Sequence, residues 1–176
     1  MAKTAEARIR AGFGSTATDE YGVADSLVSN VLSLEKNFEL PDITTVLHGQ
    51  VELSASSSVD INLLTGIDAF DDAADFDYLN GLIVINDTSA AQASAGSMIR
   101  VSFGDSAGND GWRALANDIG DNEIWINLPP GALIIVAAPY NDAYPTAAAS
   151  KIIKLVNWGD GSGNSVVKYG FVGVKN

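Results

Sequence analysis

From about residue 44 onward, apolar residues recur at every second position, and this periodicity constrains the fold more than any other feature. Val51 and Leu53 alternate with polar residues, and Ile99, Val101 and Phe103 do the same. Successive side chains of a strand point to opposite faces, so a period of two predicts strands with one buried face. About eight such strands are predicted, near residues 51–53, 59–63, 82–85, 99–103, 124–128, 133–136, 152–156 and 167–174.

The connections between these segments indicate the fold class. The runs at 82–85 and 133–136 are continuously apolar, which predicts strands covered on both faces. Pro129-Pro130-Gly131 predicts a turn, and the glycine-rich segment 157–164 predicts a hairpin loop. Because no helical pattern separates the segments, we expect an all-β protein, an antiparallel β-sandwich or jelly roll of about eight strands.

The first 45 residues differ from the rest and are predicted to be an N-terminal arm on a β-sandwich domain of residues 46–176. The first ten residues carry three basic groups and one acid, so their net charge is +2, against −14 for the remainder. Residues 12–18 are expected to be too flexible and too poor in large apolar groups to form a core element. In the segment 25–40 the apolar spacing fits a short helix, while β-branched residues and Pro41 fit an extended segment equally.

Charge and cysteine content exclude several function classes. The net charge of −12 repels phosphate groups, so neither nucleic acid nor an anionic membrane is an expected partner. No run of 18 apolar residues is present to span a bilayer. Without cysteine there is no thiolate nucleophile, disulfide or cysteine-based metal site.

The candidate catalytic residues all have simpler interpretations. His48 is the single histidine, and no Gly-x-Ser-x-Gly motif accompanies it, so we expect a turn or surface histidine rather than a member of a triad. A dense acidic stretch offers paired carboxylates for glycosidase chemistry or oxygen ligands for Ca²⁺, but a solvated loop or one helical turn that links strands is favoured. It contains Asp68, Asp71, Asp72, Asp75 and Asp77.

Asp160, Ser162 and Asn164 alternate as at the start of a calcium loop, but the glutamate twelve positions along is missing and a tight turn explains them better. We therefore expect neither an enzyme nor a cofactor or metal protein.

Aromatic and basic residues mark the candidate interface. Trp125 alternates with Ile124 and Ile126, so it is predicted on the opposite face of its strand. Exposed tryptophans can stack on sugar rings or anchor a protein interface, and burial in the sandwich is expected for at least two of the three. The candidate interface residues are Lys3, Arg8, Arg10, Phe13, Trp112, Trp125 and Trp158.

A series of strand and turn motifs follows in a set order along residues 51–174. They are Val51-Glu52-Leu53-Ser54-Ala55, Val59-Asp60-Ile61-Asn62-Leu63, Leu82-Ile83-Val84-Ile85-Asn86-Asp87-Thr88, Leu128-Pro129-Pro130-Gly131-Ala132-Leu133, Ala138-Pro139 and Leu155-Val156-Asn157-Trp158-Gly159-Asp160-Gly161. This order resembles that of small virion-associated proteins of tailed bacteriophages, of the head decoration or cement type. The first 45 residues have no counterpart in the resemblance.

The resemblance implies a jelly-roll-like β-sandwich that has no catalytic residues and is located in the virion. The implied partners are further copies of the chain, with a trimer favoured, and the major capsid protein or another virion protein. We thus expect a non-enzymatic structural protein that decorates or cements a capsid through oligomer and arm contacts. A tail or baseplate component and a carbohydrate- or receptor-binding module are the alternatives, and a glycosidase using the acidic stretch is a third.

Overall fold

The structure is a computed structural model of the 176-residue chain. It describes residues 45–66, 74–89, 97–103, 111–112, 114, 124–138, 144–147, 151–158 and 163–175. At 5–13, 17–18, 24–25, 32–40, 67 and 73 it describes the backbone pairing only. Among all these residues there is no helix, and therefore none long and apolar enough to cross a membrane.

Strand segments account for most of the described residues. In chain order they are β1 (Ala5–Phe13), β2 (Ala17–Thr18), β3 (Ala24–Asp25), β4 (Leu32–Leu40), β5 (Thr45–Leu53), β6 (Ser58–Asn62), β7 (Gly66–Ile67), β8 (Ala73–Ala74), β9 (Tyr78–Asn86), β10 (Ile99–Phe103), β11 (Ile124–Leu128), β12 (Leu133–Ala137), β13 (Tyr144–Pro145), β14 (Ile152–Asn157) and β15 (Ser165–Val174). The eight predicted strands coincide with β5, β6, β9, β10, β11, β12, β14 and β15, which confirms the all-β prediction.

Nine of these strands build two antiparallel sheets. The five-stranded sheet has the order β12-β9-β15-β5, with β13 also paired to β9, and the four-stranded sheet has the order β11-β10-β14-β6. The pairs are nested along the chain, since β5 pairs with β15, β6 with β14, β9 with β12 and β10 with β11. Each pair thus encloses the next, and the first and last strands of the domain are neighbours.

The core lies between the two sheets, as the alternating pattern requires. Leu82 and Val84 of β9 and Phe171 of β15 meet Val101 of β10 and Leu155 of β14 in one buried cluster. Every second residue of each strand contributes, because alternate side chains point to the same face. The arrangement is therefore β-sandwich-like.

Two buried asparagines join the sheets at one end of the core. Asn86 Nδ2 donates to the carbonyl oxygens of Leu128, at 2.8 Å, and Ser97, at 3.2 Å. Asn157 Nδ2 donates to the carbonyl oxygen of Leu53 at 3.0 Å. Because buried amide groups must be paired, these residues fix how one sheet sits on the other.

The chain crosses between the sheets at this same end. Pro129-Pro130-Gly131 forms the predicted turn, with Gly131 at φ 79°, and it leads from β11 into β12 of the other sheet. The glycine-rich segment after Asn157 was predicted as a hairpin loop, and this is wrong. It joins β14 to β15, which lie in different sheets, and a glycine-rich sequence is equally suited to either kind of tight connection.

The N-terminal region forms a ladder of its own. β1 and β4 pair antiparallel over nine residue pairs, from Ala5 opposite Leu40 to Phe13 opposite Leu32, and they make a two-stranded sheet. Of the two conformations that the sequence left open for 25–40, residues 32–40 adopt the extended one. Residues 26–31 lie outside the described part of the chain.

Candidate interaction surfaces

The outer face of the four-stranded sheet presents a cluster of one arginine and two tryptophans. The guanidinium carbon of Arg100 lies 3.6 Å from the ring centroid of Trp158 and 5.2 Å from that of Trp125. Cations within about 6 Å of an aromatic centroid are attracted by the ring. Arg100, Trp125 and Trp158 are called the Arg–Trp cluster below.

Strand register places these three residues together. Val101 and Ile126 are paired and point to the core, so Arg100 and Trp125, one position away on each strand, point outward. Trp158 directly follows β14, and its backbone N–H donates to the carbonyl oxygen of Met98 at 2.8 Å. The prediction that Trp125 lies on the face of its strand opposite to that of Ile126 is therefore confirmed.

The cluster is held in place on one side and open on the other. Arg100 Nε donates to Asn127 Oδ1 at 3.1 Å across the strand pair, which leaves the two terminal nitrogens of the guanidinium as donors. Trp158 is 58% exposed. A fixed arginine beside an exposed tryptophan suits a partner that has a carboxylate next to a flat apolar surface, because arginine binds carboxylates with two parallel hydrogen bonds.

The outer face of the five-stranded sheet is apolar over β9, β12 and the end of β15 that pairs with them. It has a shallow depression of about 230 Å³, whose floor is formed by two glycines that lack a side chain. The residues on its outer side are Val46, Gly81, Ile83, Ile135, Ala137, Gly170 and Val172, and they are called the apolar groove below.

Cross-strand register explains the groove. One row across the sheet runs Val46, Val172, Gly81 and Ala137, and the next runs His48, Gly170, Ile83 and Ile135. In each row a glycine stands where a side chain would fill the space. A Cβ on Gly81 would lie 3.0 Å from Val172 Cγ2, and one on Gly170 would lie 3.2 Å from Ile83 Cγ2, so both sites are tight for any larger residue.

The apolar surface continues beyond the groove and then becomes polar. In the third row Ile85 pairs with Leu133, which is 51% exposed, while Ile135 in the groove is 38% exposed. The same row continues with Lys168 and Gln50, and Lys168 forms an ion pair of 2.6 Å with Asp87. An apolar centre with a charged margin is the usual anatomy of a protein interface.

The strands that contain the two continuous apolar runs, β9 and β12, were predicted to be covered on both faces. The described residues cover only the inner face of each. β9 is central, as predicted, but its outward residues Ile83 and Ile85 are half-buried. β12 is an edge strand whose outward Leu133 and Ile135 are exposed. The sequence pattern correctly indicates a strand that is apolar on both sides, and the second side is the surface described above.

Trp112 is a core residue, which corrects its inclusion among the candidate interface residues. It is fully buried, its Nε1 donates to the carbonyl oxygen of Pro145 at 3.2 Å, and its ring meets Phe103 and Tyr144 edge-on at 6.0 and 5.9 Å. Gly111 forms a bridge to Ile152, and the Trp112 backbone N–H donates to the Ile152 carbonyl oxygen at 2.7 Å, which places Trp112 at the start of β14. Nothing in the local sequence distinguishes such a buried loop tryptophan from an exposed one.

The remaining candidate interface residues lie in the N-terminal region. Arg8, Arg10 and Phe13 are in β1, for which the structure describes the backbone pairing. Lys3 lies outside the described residues. Among the strand pairings that the structure describes, none connects β1 with the strands next to Trp125 or Trp158.

The catalytic candidates are dispersed where they are described. His48 is exposed in β5, opposite Gly170, on the outer face of the five-stranded sheet. Asp75 Oδ2 lies 2.5 Å from Lys175 Nζ, and this hydrogen bond is the main cause that raises the pKa of Lys175. Desolvation opposes it, and the charges of Asp75 and Asp77 each add a smaller upward effect. Asp68, Asp71 and Asp72 lie outside the described residues, as do Asp160 and Ser162.

Asn164 Nδ2 donates to Glu52 Oε1 at 2.7 Å, which ties the crossing between β14 and β15 to the edge of β5. In the part of the chain that the structure describes, no three metal-ligating side chains gather at one point.

Several residues of these surfaces were not singled out from the sequence. Arg100 and Asn127 are polar positions in alternating strands, and only their register shows that they pair. Gly81 and Gly170 interrupt strand patterns, which is a recognised sign of a close backbone approach, and this signal was present in the sequence.

Comparisons with family models, with curated proteins and with solved structures give no match for this chain.

Proposed function

We propose that the chain is a jelly-roll structural protein that acts by assembling with further copies of itself and with another protein. The nested strand pairs support the jelly roll, because folding one long two-stranded ribbon into two sheets produces this order of neighbours. Viral capsid domains are among the proteins that use this architecture, although a fold alone does not define a function.

The observation that carries the proposal is the apolar outer face of the five-stranded sheet. A monomer normally exposes few contiguous apolar residues, and such a patch with a polar margin is typical of an interaction surface. Here Leu133, Ile135 and the apolar groove form one surface with the Lys168–Asp87 ion pair at its margin.

The proposed setting is the virion of a tailed bacteriophage, where the chain would decorate or cement the head without performing catalysis. The support for this setting is the order of strands and turns from Val51 to Gly161, which resembles that of head decoration proteins. The surplus of acids over bases favours a protein partner over nucleic acid, because like charges repel.

Self-assembly is tested by measuring the solution mass of the full-length chain by light scattering during size-exclusion chromatography. We expect a discrete oligomer, a trimer being favoured, and a lower mass for Ile135→Glu, which places a charge on the groove. Asn127→Glu on the other sheet is the matched control and should leave the mass unchanged. A monomeric full-length chain at micromolar concentration would refute self-assembly.

The virion setting is tested by mass spectrometry and immunogold labelling of purified phage particles. We expect the chain at a copy number comparable to that of the capsid subunit, with gold on the head. Gold on the tail or baseplate would transfer the role to that part of the particle. Absence from the particle would refute the virion proposal.

The Arg–Trp cluster supports a second candidate function, the binding of an acidic glycan or a glycosylated receptor. Trp158 can stack on a sugar ring while Arg100 holds a carboxylate. Glycan-array binding that is lost in Trp158→Ala, with the fold intact by circular dichroism, is the expected result. Equal binding by Trp158→Ala and the unchanged chain would refute this function.

A further inference from the structure

The register of the β1–β4 ladder separates its residues into two chemically different faces. Alternate positions of a two-stranded antiparallel ladder share a face. One face takes Ala5, Ala7, Ile9, Ala11, Phe13, Leu32, Leu34, Lys36, Phe38 and Leu40, of which only Lys36 is polar. The other takes Glu6, Arg8, Arg10, Gly12, Ser33, Glu35, Asn37 and Glu39. The β1–β4 ladder is therefore an amphipathic ribbon.

Such a ribbon needs a surface to cover its apolar face. A two-stranded sheet alone is at best marginally stable in water, and stability requires further strands or packing on another element. Among the residues that the structure describes, β1 and β4 pair only with each other and extend neither sheet of the sandwich. What covers the ribbon must therefore contact its face rather than its edge.

The outer face of the five-stranded sheet has the matching chemistry and size. It carries the apolar groove together with Ile85 and Leu133. At about 4.8 Å between strands, the apolar part of this face, on β12, β9 and β15, is about 10 Å wide, and β5 adds Val46 and then the polar His48 and Gln50. A two-stranded ribbon, with one spacing of about 4.8 Å plus its side chains, fits within that width, and Gly81 and Gly170 allow a close approach.

We propose that the β1–β4 ribbon of one copy packs its apolar face on the apolar groove of a second copy. This inference rests on the self-assembly proposed above and names the two surfaces that assemble. Each copy supplies both a ribbon and a groove, so the contact joins unlike surfaces and closes into a ring if the rotation between copies permits.

The connection to the sandwich favours a second copy over the same chain. Only residues 41–44 separate β4 from β5, and β5 begins next to Val46 at the groove end of the sheet. To lie over its own sheet, the ribbon would have to reverse direction and rise by one layer, about 10 Å. Residues 41–44 span at most about 14 Å, so a rise of about 10 Å leaves little length for the reversal, and docking on a second copy requires neither.

Site-specific cross-linking tests the contact, because the chain contains no cysteine of its own. Leu34→Cys on the apolar face of the ribbon is mixed with a size-tagged chain that carries Ile135→Cys, and a short bis-maleimide is added. We expect a covalent product that contains one chain of each size. Formation should be at least tenfold weaker with the neighbouring Ser33→Cys, which is on the polar face, and with Ser58→Cys in place of Ile135→Cys.

The outcomes separate this inference from the proposed function. A chain carrying both Leu34→Cys and Ile135→Cys that cross-links only within itself would overturn docking on a second copy. Oligomers without the Leu34–Ile135 product would overturn the ribbon contact while leaving self-assembly intact. Monomers without the product would overturn both, and circular dichroism of each variant verifies that the fold is retained.

Discussion

At the scale of single residues, two tryptophans have opposite roles, because Trp112 is fully buried and Trp158 is largely exposed. Trp112 fills the core and satisfies its N–H on Pro145, whereas Trp158 stands on the surface beside Arg100. Truncation of a buried aromatic removes both transfer free energy and packing, whereas truncation of an exposed one removes little of either.

We therefore expect Trp112→Ala to lower the free energy of unfolding by about 3–5 kcal/mol. Trp158→Ala should lower it by less than about 1 kcal/mol, which is the size of its contact with Arg100. Urea denaturation followed by circular dichroism measures both. Similar losses in the two variants would contradict the assigned burial.

Asn86 allows an almost isosteric test of the amide that joins the sheets. Asn86→Asp replaces a donor to the carbonyl oxygens of Ser97 and Leu128 with a carboxylate that faces them in the core. We expect a loss of about 3–5 kcal/mol at neutral pH, as for an uncompensated buried charge.

Burial and the facing carbonyl oxygens raise the folded-state pKa of the introduced carboxylate above its unfolded value of about 4. The folded state then binds the proton more tightly, so the stability deficit of Asn86→Asp should shrink as the pH falls through that raised pKa. Urea titrations at several pH values measure it. Asn127→Asp, on the surface beside Arg100, is the control and should show no such recovery; a pH-independent deficit in Asn86→Asp would contradict the account.

At the scale of elements, strand positions were predictable from the sequence while strand partners were not. Alternation, together with the two continuous apolar runs, located eight of the nine strands of the two sheets, because one buried face per strand imposes a period of two. It could not show that the segment after Asn157 crosses between sheets, since turn residues do not encode which sheet follows. β13 was missed because two residues, Tyr144 and Pro145, are too few for a periodicity.

The candidate surfaces were predictable only in part, for a related reason. Trp125 and Trp158 were identified from residue type and alternation, while Arg100 required the register of β10 with β11. The apolar runs indicated that β9 and β12 are apolar on both sides. Whether a second sheet or a partner covers the outer side depends on contacts far away in the sequence.

Two glycines of β15 provide a matched test of close packing within one strand. A Cβ on Gly173 would lie within 2.1 Å of the Tyr78 carbonyl oxygen at the bulge of the β9–β15 ladder, and backbone cannot move aside. Gly173→Ala should therefore cost about 3 kcal/mol or more, at the upper end for overpacking. Gly170→Ala, whose Cβ would meet a flexible Ile83 methyl at 3.2 Å, should cost about 1 kcal/mol or less. Thermal unfolding ranks them, and the reverse order would contradict the register.

At the scale of the whole molecule, the net charge of −12 and the apolar outer face have opposite effects on association. Charge repulsion keeps copies apart at long range, and apolar contact holds them once they meet at the groove. Added salt screens the repulsion, with a Debye length of about 8 Å at physiological ionic strength.

Association coupled to folding makes thermal stability depend on protein concentration. We expect the midpoint of thermal unfolding of the full-length chain to rise with concentration between about 1 and 100 μM. In Ile135→Glu, which disables the groove, the midpoint should be independent of concentration. Scanning calorimetry over this range measures both, and a constant midpoint in the unchanged chain would contradict coupled assembly.

The nesting of strand pairs also determines when the domain can fold. β5 is the first strand of the sandwich and β15 is the last, yet they are neighbours, and β15 is also the strand that joins β5 to β9. During synthesis the five-stranded sheet therefore lacks its middle until β15 has left the ribosome. Contacts of such large sequence separation are entropically costly to close and slow to form. A nascent chain that stops before Ser165 would expose the unpaired edges of β5 and β9, so aggregation through these edges competes with folding until β15 is in place.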